Sequence, residues 1–127
     1  MADDFLTGFD IVIPNWNGRH LLEVCLPSLF AQDFDDFGVI VVDNGSTDGS
    51  ADYILANYPG VKVIQLTENC GFSGAVNRGI EAGTREWVLL LNNDIEMAPN
   101  CLTQLANQAD STPLIRICLL YTSDAAD

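Results

Sequence analysis

Short apolar runs that stop abruptly at polar residues alternate along the chain with longer segments whose apolar positions recur at helical spacing. Residues 10–14 (DIVIP) are a β-branched run broken by proline and followed by the turn-like NWNG, which predicts a first strand. In FGVIVVDNGSTDGS (37–50) an unbroken apolar stretch of strand length predicts a second strand buried on both faces. VKVIQL (61–66) and EWVLLLNND (86–94) supply a third and a fourth. Between them, RHLLEVCLPSLFAQ (19–32) places Leu21, Leu22, Cys25, Leu26, Leu29 and Phe30 at helical spacing, with Pro27 predicting a kink or a restart. Ser50 suits the N-cap of a second helix over ADYILANY, which Pro59-Gly60 ends. From Ser73 onward, Ala75, Val76, Ile80 and Ala82 share one face of a third helix that closes near Gly83. Pro99 fits the first turn of a fourth, APNCLTQLANQAD.

The resulting order, β-α-β-α-β-α-β-α, implies a parallel sheet with helices on both faces, because parallel strands need long crossovers. In such sheets ligands bind at the carboxyl ends of the strands. Those ends are PNWNG, DNGSTDG, TENCGFSG and NNDIE, four polar clusters on one rim. Each cluster alone is ordinary turn chemistry; their coincidence on one edge is what marks a site. The rim carries Asn15, Asn17, Asp43, Asp48, Asn69, Asn92, Asn93 and Asp94, with glycines at 18, 45, 49, 71 and 74. Hard oxygen donors of this kind suit Mg²⁺ or Mn²⁺, and Asp94 is the leading metal ligand.

Composition narrows the function classes. A chain of 127 residues is one domain, and 48% hydrophobic with 18% charged is a globular balance. Eighteen acids against five bases give a net charge of −13, which argues against a nucleic-acid partner. A phosphate-bearing small ligand would then need a divalent cation beside it. Cys25, Cys70, Cys101 and Cys118 lie far apart without C-x-x-C spacing and suggest neither zinc nor a disulfide framework. No apolar run approaches the roughly 20 residues of a membrane span, and MADDFLTGFD lacks the features of a signal peptide. The expected location is cytoplasmic, or peripheral at the inner face of the cell membrane. His20 reads as a surface or capping residue, Trp87 as core or strand edge, and Trp16 as facing a ligand from the first rim loop. Arg78 is notable as one of few cations, on the helix that opens from GFSG.

In order and spacing, IVIPNWNG, VVDNGSTDGS, NCGFSGAVNRG and LLLNNDIEM resemble the inverting nucleotide-sugar glycosyltransferases of family 2, from about Phe9 to Asp110. The NWNG and LNND versions are similar to the branch that includes rhamnosyltransferases and cell-surface polysaccharide enzymes. The resemblance implies the GT-A fold: a Rossmann-like three-layer α/β/α architecture with a mainly parallel sheet, here truncated. It implies that Pro14, Asn15, Trp16 and Asn17 line a nucleotide pocket and that Asp43 contacts the base or ribose of a UDP- or dTDP-sugar. Asn69, Gly71 and Phe72, with Asn77 and Arg78, would flank the nucleotide and diphosphate, and Asn92 and Asn93 would join them. Asp94 matches the last position of the family's Asp-x-Asp metal motif, whose first position is the neutral Asn92 here. The acceptor, a glycan or a lipid-linked glycan, and the catalytic base belong to the family's C-terminal half, so no residue of this chain is named as base.

Residues 118–127, CLLYTSDAAD, show neither strand nor helix logic and look like the translation of a transposon-end adapter used in sequencing libraries. The expectation is a donor-binding part over residues 1–110 and a non-native read-through tail over 111–127. Two competitors stand beside the glycosyltransferase reading: a non-catalytic nucleotide-sugar-binding module, and a nucleotidyltransferase. The last predicts a Gly-rich loop with a basic residue directly after the first strand, for which PNWNGR offers only Gly18-Arg19.

Overall fold

A computed structural model describes residues 8–111 and 117–120, and the side chains of residues 8–108. The elements run β1 (Phe9–Asn15), α1 (Arg19–Phe30), β2 (Phe37–Asp43), α2 (Ser50–Asn57), β3 (Lys62–Gln65), α3 (Gly71–Ala82), β4 (Trp87–Leu91), α4 (Cys101–Ser111) and β5 (Ile117–Leu120). The strands form one sheet in the order β3-β2-β1-β4-β5, with every pairing parallel. This is the three-layer α/β/α sandwich that the strand and helix pattern implies.

Strand alternation decides which helices cover which face. Phe9, Ile11 and Ile13 of β1, Val39 and Val41 of β2, and Trp87, Leu89 and Leu91 of β4 point to one side. There they meet Leu22, Cys25, Leu26 and Leu29 of α1, Ile54 of α2, and Leu102 and Ala106 of α4. Val12, Ile40 and Val42 point to the other side, under Ala75 of α3. At Gly79 the α3 backbone comes so close to the sheet that a Cβ would lie 2.3 Å from Val12 Cγ1. The amino ends are pinned by Asp10, which accepts from the Arg85 backbone N–H at 2.6 Å and from its guanidinium at 3.3 Å.

Several local expectations are corrected. Pro27 does not restart the helix: α1 is continuous through it. Pro27 and Glu23, whose carbonyl loses its i+4 donor, both face solvent, where water can satisfy that carbonyl. Ser50 is the first residue of α2 rather than its cap, and Gly49 holds the N-cap position with φ 82°. α3 begins at Gly71, two residues before Ser73, and Pro99 lies in the turn ahead of α4. The segment expected to lack strand logic contributes residues 118–120 to β5, which pairs with β4 from Val88↔Ile117 to Leu91↔Leu120. Since α4 shares a face with α1 while β5 lies on the opposite flank from β2, the β4-α4-β5 crossover has the opposite hand to β1-α1-β2, an exception to the usual rule. The rest of the proposed tail, apart from Ser111, and the N-terminal segment before Gly8 lie outside the described residues.

Candidate functional site

The strand order reverses between β1 and β4, and the carboxyl end of such a junction is where open parallel sheets hold ligands. A cavity of about 320 Å³ opens there, lined by Pro14, Asn15, Trp16, Asn44, Asn69, Phe72, Asn92, Asn93 and Asp94. All but Asn44 were expected from the sequence. Trp16 and Phe72 are half exposed, giving apolar walls to an otherwise amide-rich floor. Asp94 is the one carboxylate among these lining residues.

A chain of side-chain hydrogen bonds joins the rim loops beneath the cavity. Asn93 Nδ2 donates to Asn15 Oδ1 at 2.9 Å, and Asn15 Nδ2 donates to Asp43 Oδ1 at 3.1 Å. The other Asp43 oxygen accepts from the Ser46 backbone N–H at 3.2 Å. Ser46 Oγ in turn accepts from the Asn17 backbone N–H, and Asn17 Oδ1 accepts from the Thr47 N–H, both at 2.8 Å. Asn17 holds its side chain there from a left-handed backbone, φ 50°, a conformation Asn tolerates better than most residues. Gly18 is required by the same crowding, because a Cβ would lie 2.3 Å from Asn93 Nδ2 and 2.6 Å from Asn15 Oδ1.

Asp48 ties two helix starts together. Its carboxylate accepts from the Arg19 N–H at 2.9 Å and from the Ser50 N–H at 3.0 Å, and also from the Ser50 hydroxyl. Burial works to raise its pKa, but those hydrogen bonds outweigh it, and the net shift is downward. Under the cavity, burial pushes the Cys25 thiol up to about 12, and the nearby Asp94 carboxylate adds to the rise.

Other predicted residues fall elsewhere. Asp43 is buried and lines a separate cavity of about 330 Å³ with Ser46, Thr47, Gly49, Ser50, Ala51, Asp52 and Gln65. Strand alternation explains the split: Asp43 turns to the α2 side, whereas Asn44 turns to the α3 side and into the first cavity. Gly71, with φ 80°, opens α3 beside that cavity without lining it. Asn77 and Arg78 are exposed, about 10 Å along α3 from Gly71, and line neither cavity. His20 is exposed and Trp87 is buried, as the sequence suggests. Asn44 was missed because an Asn-Gly pair after a strand reads as turn chemistry.

Among the described residues no group of three or more His, Cys, Asp or Glu could hold a metal ion. A divalent cation at Asp94 must therefore complete its shell with amide oxygens, water and the ligand's own phosphates, a pattern that suits Mg²⁺ and Mn²⁺.

The family model for Glycosyl transferase family 2 matches residues 10–124. The chain belongs to this family. The matched stretch includes Cys118 to Asp124, within the segment expected to be foreign. Among curated relatives, the uncharacterized glycosyltransferase YibD of Escherichia coli (strain K12) is 34% identical over 102 residues, covering 78% of this chain and 29% of that protein. The N-acetylglucosaminyl-diphospho-decaprenol L-rhamnosyltransferase of Mycobacterium tuberculosis is 32% identical over 107 residues, covering 76% and 34%. The chain thus spans about a third of the length of the curated relatives it matches. Among solved structures, S. aureus TarS 1-349 in complex with UDP-GlcNAc superposes with a TM-score of 0.76 at 28% identity, covering 82% of this chain and 31% of that one. The mannosyltransferase PcManGT of Pyrobaculum calidifontis, in complex with GDP-Man and Mn²⁺, gives 0.69 at 26% identity, covering 82% and 32%. These neighbours share the GT-A type of α/β architecture with this chain.

Proposed function

We propose that the chain is the donor-binding part of a glycosyltransferase that moves a sugar, with inversion, from a UDP- or dTDP-sugar to a glycan or lipid-linked acceptor. The observation that carries this reading is the single-carboxylate cavity at the β1/β4 switch point, walled by Trp16 and Phe72. Support comes from the two neighbours solved with nucleotide sugars and from the rhamnosyltransferase relative, which matches the branch suggested by NWNG and LNND.

In this reading Pro14 and Trp16 offer apolar surface to the nucleotide, Phe72 faces it from α3, and Asn69, Asn92 and Asn93 supply neutral donors and acceptors. Asp43 acts on the base or ribose through Asn15, whose side chain it holds by a hydrogen bond. Asp94 would hold Mg²⁺ or Mn²⁺, with Asn92 in place of a second carboxylate, and the ion would supply charge neutralisation for the leaving diphosphate. Asn77 and Arg78 serve the nucleotide only if a ligand extends along the exposed face of α3. The acceptor hydroxyl must lose its proton to a base, and none is assigned to these residues.

Titration with UDP- and dTDP-sugars, read by Trp16 fluorescence, tests the site. Binding strengthened by Mn²⁺ and losing that dependence in Asp94→Ala is the expected result; identical Mn²⁺ dependence in the variant removes Asp94 as ligand. The alternative, a non-catalytic nucleotide-sugar-binding module, draws on the cavity's lone carboxylate, which the ion would occupy. Sugar transfer by the full-length protein, absent after Asp94→Ala, rules the module out.

A further inference from the structure

We propose that Asn44 is a positioning residue for the donor cavity, its side chain fixing the wall that carries Asn69 and Phe72; this rests on the nucleotide-sugar reading above. Asn44 follows β2 and is only 5% exposed. Its backbone N–H donates to the Asn15 carbonyl at 2.8 Å, which seats it against β1. From that seat both ends of its amide reach one distant peptide segment: Nδ2 donates to the Gly71 carbonyl at 3.1 Å, and Oδ1 accepts from the Cys70 N–H at 2.7 Å. A side chain of this length with one donor and one acceptor on the same carbon is the feature that fits.

The clamped segment has little else to hold it. Residues 67–73 are all exposed, and the stretch from 66 to 70 belongs to no strand or helix. Within it, Asn69 Oδ1 accepts from the Gly71 N–H at 2.8 Å, a local bond that shapes the turn without anchoring it to the sheet. The turn after Asn44 is fitted to the same loop: a Cβ on Gly45, whose φ is 81°, would lie 2.9 Å from the Glu68 carbonyl carbon. Asn44 is thus the side-chain tether between the rigid end of β2 and the wall bearing Phe72. With it released, Asn69 and Phe72 would have to be ordered by the ligand, and that ordering cost subtracts from affinity.

Asn44→Ala tests this, because it removes both the acceptor for the Cys70 N–H and the donor to the Gly71 carbonyl. Amide exchange at Cys70 should rise about tenfold while amides of β1 and β2 keep their protection, as expected for loss of one partly buried hydrogen bond. The Kd for the UDP- or dTDP-sugar should rise by about the same factor. If that variant fails to fold, Asn44→Ser, too short to reach both loop atoms, carries the same two measurements. Unchanged exchange overturns the clamp whatever the ligand. Faster exchange with unchanged affinity overturns the positioning role. An unmutated chain that binds neither nucleotide sugar overturns the nucleotide-sugar reading and with it this role, while the exchange measurement still reports separately on the clamp.

Discussion

Asn93 donates its side-chain N–H to Asn15 Oδ1 across 2.9 Å although 78 residues separate the two in the chain. Asn15 passes the connection on to Asp43, so one buried amide joins the loops after β4, β1 and β2. A residue with donor and acceptor at opposite sides of one carbon is suited to sit between an amide and a carboxylate.

Asn15→Leu preserves the volume and removes both bonds. It leaves the buried Asp43 carboxylate short of a donor, a loss of roughly 1–3 kcal/mol. The urea midpoint should fall with the m-value unchanged. A midpoint equal to the parent's would mean that the relay contributes nothing to stability.

Gly18→Ala attacks the same relay without replacing any of its residues. The new methyl would sit 2.3 Å from Asn93 Nδ2, so Asn93 must move and its bond to Asn15 must break. The expected cost is about 1–3 kcal/mol, and in the proposed reading nucleotide-sugar binding should weaken as well, because Asn93 lines the cavity. Ala at an ordinary exposed helix start would be nearly neutral, so full stability in this variant contradicts the crowding.

Gly79→Ala sets propensity against packing. Alanine favours the α3 helix by about 1 kcal/mol over glycine, yet its Cβ would meet Val12 Cγ1 at 2.3 Å and Val42 Cγ2 at 3.2 Å. Overpacking wins, and the single variant should lose about 1–3 kcal/mol. Combining it with Val12→Ala should recover part of the loss, a positive coupling that a double-mutant cycle measures.

Asp48 makes stability depend on pH with a defined sign. Its carboxyl titrates below the ordinary value of about 4, so the folded state binds its proton less readily than the unfolded state. The stabilisation is present above the unfolded-state value and is lost as pH falls through the lower folded-state value. Asp48→Asn should be less stable than the parent at neutral pH, and the gap should close in that acidic window. A gap independent of pH would assign the effect to packing instead.

The strands and helices were legible because each strand is an apolar run ending in a polar turn and each helix keeps its apolar spacing. Boundaries moved where a sequence neighbour or solvent does the work the pattern assigned to another residue. Asp48, two residues earlier, satisfies the α2 start that Ser50 was expected to cap, and water at an exposed helix face tolerates Pro27. The rim as a whole was legible, but the facing of its members was not. Asp43 and Asn44 are adjacent in sequence and enter different cavities, because the pleat points them to opposite faces. Asn77 and Arg78 share a motif with Asn69 and Phe72, yet Ala75, Val76 and Gly79 take the buried side of α3 and leave them in solvent.

Thiol chemistry offers an independent check on how α1 packs against the sheet. Cys25 is fully buried, and its pKa of about 12 owes most to burial and the remainder to Asp94, whereas Cys70 is exposed on the clamped loop. Burial therefore keeps Cys25 almost wholly in the unreactive thiol form at pH 8. Peptide mapping after brief alkylation should therefore find Cys70 modified and Cys25 intact, with Cys25 reacting only once urea unfolds the chain. Asp94→Asn removes the smaller contribution and leaves burial in place, so Cys25 should stay protected in that variant. Rapid native labelling of Cys25 would mean that the face of α1 carrying it is not packed against the sheet.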